Sequence, residues 1–122
     1  RHGCTNTVQL LIILGSNIQA KDSWGFSCLH RAAQNGHIST TQLLLQHGSK
    51  VDACANDGVT PLILAAYGGC YKIVEILIKN GSSLNCTMHS NLTALHFAAH
   101  NGHSNVVEIL IKGGADQQVL LA

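Results

Sequence analysis

Residues 58–90 read GVTPLILAAYGGCYKIVEILIKNGSSLNCTMHS, and the same pattern recurs on both sides at a spacing of 33 residues. Leu29, Leu62 and Leu95 fall in register, as do Ala32, Ala65 and Ala98 and, one place on, Ala33, Ala66 and Ala99. Gly36, Gly69 and Gly102 follow in step, then Gly48, Gly81 and Gly114. A fixed period of this kind decides the architecture before any propensity does. Each unit is a small supersecondary element that buries its apolar face only against a neighbour, so the units must stack. An elongated all-α stack is therefore expected.

Within the central unit, Thr60 is placed to cap a helix, and Pro61 takes the first helical position, where its missing N–H costs nothing. That helix runs to about Tyr67 and turns at Gly68 and Gly69. A second helix over 72–80 carries the apolar stripe Ile73, Val74, Ile76, Leu77 and Ile78. The preceding unit repeats the plan, with Ser27 as cap, Ala32 and Ala33 on the helix face, and a second helix over 39–47 bearing Leu43, Leu44 and Leu45. The following unit starts at Thr93, and its second helix carries Val106, Val107, Ile109, Leu110 and Ile111. Asn91 stands where the other units have Gly25 and Gly58, and Asn tolerates the left-handed backbone better than other side chains. The reading is a single domain: a half unit over 1–21, units over 22–54 and 55–87, and a unit with a C-terminal tail over 88–122. The chain starts at Arg1 partway through a unit and ends on the apolar Val119, Leu120, Leu121 and Ala122, so a fragment of a longer array is expected.

Composition narrows the function. The net charge is +1, from 7 Lys and Arg against 6 Asp and Glu with no basic run, which leaves little to drive binding to a nucleic-acid backbone. Hydrophobic residues make up 46% and charged residues only 11%, as expected of a stack whose cut faces should be covered by further units. Cys4, Cys28, Cys54, Cys70 and Cys86 form no C-x-x-C pair and are odd in number, pointing to free thiols in a reducing intracellular compartment, cytoplasm or nucleus. Apolar runs such as residues 10–14 are far too short to span a membrane, and no signal-peptide pattern is visible.

The run Gly58-x-Thr60-Pro61-Leu62-x-x-Ala65-Ala66-x-x-Gly69 resembles the ankyrin repeat. So do Leu29-His30-x-Ala32-Ala33-x-x-Gly36-His37 and Thr93-Ala94-Leu95-His96-x-Ala98-Ala99-x-x-Gly102-His103. The resemblance covers residues 1 to about 118 and implies helix–turn–helix units with projecting β-hairpin or turn fingers, stacked as a solenoid. It also implies a protein-interaction module without catalysis of its own. Cys28 and Ala94 replace the family's Pro, Ile63 its His and Asn91 its Gly. The resemblance makes His30 and His96 structural, each ring bonding between neighbouring repeats, and puts His37 and His103 at the family's Gly-His position.

Eight histidines raise the question of a metal. His96 and His100 have the i, i+4 spacing of a two-His site, but no third ligand lies nearby in sequence. Cys4, His37, Cys70 and His103 recur in register, yet stacked units lie roughly 10 Å apart, too far to share an ion bound at about 2.0–2.3 Å. No G-x-S-x-G, P-loop, H-E-x-x-H or kinase signature occurs. No metal, cofactor or catalytic residue is assigned.

In an ankyrin-like stack the finger tips and the open side of each first helix are free for a partner. Trp24, Phe26, Arg31, Gln34, Asn56, Asp57, Tyr67, His89, Leu92, Phe97 and His100 occupy such positions, as do Val59 and Leu64. The chain has one Trp, two Tyr and two Phe, and all but Tyr71 of these aromatics fall on this face. Trp, Tyr and Arg dominate binding hot spots. The expectation is a protein–protein interaction scaffold binding through its concave face, monomeric, with end-to-end stacking open to it through truncated ends. The competing readings are a regulatory module for a small ligand on the same face and a structural spacer.

Overall fold

The computed structural model describes residues 21–84, 87–88 and 92–114. The apolar run of the half unit, Cys4, Cys86, His89, Asn91 and the C-terminal tail lie outside the described residues. Six helices follow in three consecutive pairs: α1 (Cys28–Gln34) with α2 (Ile38–Gln46), α3 (Pro61–Gly68) with α4 (Tyr71–Lys79), and α5 (Ala94–His100) with α6 (Ser104–Lys112). Among the described residues there is no strand, so the fingers are turns. Each finger is closed by one backbone bond at its base: Asp22 N–H to Phe26 O at 3.0 Å, Ala55 N–H to Val59 O at 2.9 Å, and Met88 N–H to Leu92 O at 3.0 Å.

The first helix of every pair starts at a hydroxyl cap. Ser27, Thr60 and Thr93 accept the N–H three residues on, from His30, Ile63 and His96 at 3.3–3.4 Å. At Ser27 and Thr93 the cap is reciprocal, because the His ring reaches back to the cap residue's own N–H. Pro61 opens α3 as the sequence requires. The second helices begin one residue earlier than their apolar stripes suggest, with His37, Cys70 and His103 as N-caps that make no side-chain cap bond.

Small residues let the first helices approach one another. Ala32, Ala33, Ala65, Ala66 and Ala98 are buried where α3 packs between α1 and α5. Leu44, Ile73, Val74, Leu77, Val106 and Leu110 on the second helices are fully buried behind them. Leu43 and Leu45, expected inward with Leu44, are only half-buried, because a 3.6-residue turn aims three successive side chains in different directions. Ala99, the counterpart of Ala33 and Ala66, is exposed, with no further helix among the described residues to cover it.

Polar bonds tie successive pairs together. His30 Nδ1 accepts the Ser27 N–H at 3.1 Å, which leaves the ring proton on Nε2, and Nε2 donates to Val59 O at 2.9 Å. This is the inter-repeat bond that the resemblance implies for His30. On the opposite side, the Asp52 carboxylate accepts the Ser83 N–H at 3.0 Å and the Ser82 hydroxyl at 3.2 Å. In the second unit Ile63 holds the histidine position, so that seam lacks the ring and is tied instead through Tyr67 O, which accepts from His103 Nε2 at 2.9 Å and Asn101 Nδ2 at 3.1 Å.

Burial holds the His30 imidazole below its ordinary pKa of 6.5; Lys21 pushes the same way, against the opposing pull of the Val59 carbonyl. The folded state keeps the ring neutral while the unfolded chain takes up a proton below about pH 6.5, so stability is lost as pH falls from there towards the lowered value. His30→Gln retains a reach-back cap but loses the bond to Val59. It should lower stability by about 1–3 kcal/mol at pH 7.5 and flatten the acid-side loss, both read from urea unfolding between pH 7.5 and 5. Parallel pH profiles for the two proteins would contradict this assignment.

Candidate protein interface

The finger of the first described unit is built around Asp22. Its Oδ1 accepts the N–H groups of Trp24 at 3.0 Å and Phe26 at 2.9 Å, a turn in which the carboxylate replaces a backbone carbonyl. Its Oδ2 receives Arg31 Nη2 at 2.9 Å, and Arg31 Nη1 donates to Gln34 Oε1 at 3.1 Å. The guanidinium lies 4.4 Å from the centroid of the Phe26 ring, which in turn packs on His30 with centroids 5.5 Å apart. Desolvation raises the Asp22 carboxyl, but the bonds from Arg31, Phe26 and Trp24 outweigh it and leave it below its ordinary 3.8. Arg31 is thus held against the finger by a carboxylate and an aromatic face, and braced by the Gln34 amide of its own helix.

The next finger docks against this one. Asn56 N–H donates to Trp24 O and Asn56 Nδ2 to Ser23 O, each at 2.9 Å, while Lys21 Nζ donates to Cys54 O at 3.0 Å. The approach is close enough that a Cβ on Gly25, at φ +84°, would lie 2.7 Å from Asn56 N and 3.1 Å from Ala55 Cα. Trp24 itself is 64% exposed beside this junction.

Between the fingers and the first helices lies a groove of about 250 Å³ that crosses all three units. Ile63, Leu64, Val59 and Met88 give it aliphatic walls. Phe26 and Gln34 border it in the first unit, and Tyr67 and Phe97 in the next two. Those last two rings meet edge to face with centroids 5.6 Å apart, and Tyr67 remains 57% exposed. Asp57 supplies the one carboxylate of the lining, which contains no cation. Its Oδ1 accepts the Val59 N–H at 3.2 Å.

The residues singled out by sequence divide accordingly. Phe26, Gln34, Asp57, Tyr67 and Phe97 come together on the groove. Trp24, on the first finger, and Arg31, on α1 against Phe26, do not line it. Asn56, read as free for a partner, is exposed but committed to the finger junction, and Val59, read the same way, is 4% exposed. Leu92 is half-buried at the base of the third finger, His100 is exposed at the end of α5, and His89 lies outside the described residues. Ile63 and Met88 were not chosen for this face. Ile63 is in register with His30 and His96, and Met88 with Asp22 and Ala55; in both cases a larger apolar group replaces the usual occupant and faces the groove.

Among the described residues, no group of three or more His, Cys, Asp or Glu is placed to hold a metal ion, and no helix is long and apolar enough to cross a membrane. Two family models match the chain: ankyrin repeats in three copies over residues 1–88, and a single ankyrin repeat over residues 90–120. The chain belongs to the ankyrin-repeat family. No curated protein matches it. Ankyrin repeats generally mediate protein–protein interaction and are typically non-catalytic.

Neighbouring residues on the first finger should respond very differently to change. Gly25→Ala forces a left-handed alanine against Asn56 and should cost about 2 kcal/mol or more. Trp24→Ala removes an exposed ring and should change stability by less than about 0.5 kcal/mol. Equilibrium urea denaturation of the two variants checks this, and a similar loss in both would refute the docking of finger on finger.

Proposed function

We propose that this chain is a single interaction domain that scaffolds or adapts a partner protein. The partner docks on the face made by the finger tips and the helices α1, α3 and α5. Trp24, Phe26, Arg31, Gln34, Asp57, Tyr67, Leu92, Phe97, His100 and His89 form that docking set, and Asn56 supports it by holding two fingers together. The observation that carries the reading is the exposure of Tyr67 on an apolar groove and of Trp24 on the finger whose Phe26 borders that groove, in a chain with few aromatics. Large rings left in water beside apolar walls are what interface centres are made of.

The small-ligand reading is less well supported. The groove, at about 250 Å³, lies below the roughly 300–1,000 Å³ usual for small-molecule sites, and its lining offers no cation for a phosphate. A spacer would have no use for exposed aromatic rings on one face. The domain works as a monomer without catalysis, in a reducing intracellular compartment, and the free thiols of Cys54 and Cys70 fit that setting.

Capture from lysate with the wild-type chain and with a Trp24→Ala/Tyr67→Ala double variant tests the face, after thermal melting confirms that both fold equally. A protein retained by the first and lost by the second, with at least a tenfold change in affinity when the purified pair is titrated, is the expected result. Equal retention by both would place the docking surface elsewhere.

A further inference from the structure

The lining of the groove is chemically lopsided. Its floor and walls are aliphatic and aromatic, and the single charge it presents is the carboxylate of Asp57. Arg31, the cation stacked on the Phe26 ring that borders the groove, is already held by Asp22 at 2.9 Å and by Gln34 at 3.1 Å. Asp57 has no such partner: among the described residues its carboxylate accepts only the Val59 N–H, through Oδ1. Beside it, the exposed ring of Tyr67 offers an electron-rich face of the kind that attracts ammonium and guanidinium groups.

We propose that the groove takes an extended segment of the partner protein in which a bulky apolar side chain stands next to a lysine or arginine. This rests on the reading of the face as a docking surface and gives the partner its chemistry. The apolar side chain seats between Ile63, Leu64 and Met88, where the thioether chain of Met88 adapts to leucine, methionine or phenylalanine alike. The neighbouring cation pairs with Asp57 over the face of Tyr67. A groove of this size holds one or two side chains rather than a folded surface, so the recognised element is a short linear stretch. An acidic residue in the cation's place would face the like charge of the Asp57 carboxylate and be rejected.

The test is a selection from random 12-residue peptides displayed on phage, run in parallel on wild-type chain, Asp57→Asn and Leu64→Arg. Asp57→Asn keeps an oxygen for the Val59 N–H and removes only the charge. Selected peptides are then synthesised and titrated by fluorescence anisotropy. Wild-type protein should enrich peptides with a large apolar residue within two positions of Lys or Arg. Exchanging that base for Glu should weaken binding roughly 5–30-fold. Asp57→Asn should reduce this preference to about twofold or less, and Leu64→Arg should abolish enrichment while melting like the wild type. Enriched peptides without a base, or a preference for base that survives Asp57→Asn, would overturn the proposal. If no peptide is enriched yet the captured protein still depends on Trp24 and Tyr67, the groove chemistry falls and the docking face stands. If both fail, both fall.

Discussion

A pair of helices seven to nine residues long has nowhere to hide its apolar side except against another pair. The alanines of α1, α3 and α5 set how near that next pair can come, because a methyl group on each facing position lets backbones approach where a leucine would hold them apart. Everything else follows from this short distance. It brings the His30 ring within reach of Val59 O, 29 residues on, and the Asp52 carboxylate within reach of Ser82 and Ser83. It also presses one finger so tightly on the next that Gly25 has no room for a side chain. Widening the spacing would break these ties together.

The same packing separates two duties that meet in single residues. Tyr67 lends its carbonyl to His103 and Asn101, which fixes the third pair on the second, while its ring stays in water beside Phe97. Trp24 gives its carbonyl to Asn56 and leaves its indole exposed. In these two residues the backbone carbonyl serves the assembly and the side chain is left to meet a partner. A surface built in this way can change its side chains, and so its partner, without disturbing the stack. Stiffness and specificity are decoupled by using different atoms of the same residue.

Much of this was legible in the sequence. The 33-residue register, the caps at Ser27, Thr60 and Thr93, and the helix limits to within about a residue all follow from local chemistry. The aromatics of the groove could also be located, because register alone assigns them to one face. What could not be read was which polar finger residues were already spoken for. Asn56 and Asp57 look alike in sequence, yet one amide bridges to the previous finger and the other carboxylate turns back on its own. Nothing in the pattern joins Asp22 to Arg31 across nine positions, since that pairing depends on the direction of a finger relative to a helix. Met88 went unnoticed because its column otherwise holds Asp22 and Ala55, neither of which reaches so far.

The ring of His30 also imposes an order in time. Its Nε2 proton goes to a carbonyl of the next unit, made 29 residues later. At roughly 5–20 residues per second of synthesis, a nascent chain spends some 1–6 s with that seam unclosed. Each arriving unit then completes the one before it. Because each seam needs groups from two successive units, it closes only once the later unit has been made, and until then the apolar face meant for that unit stays open.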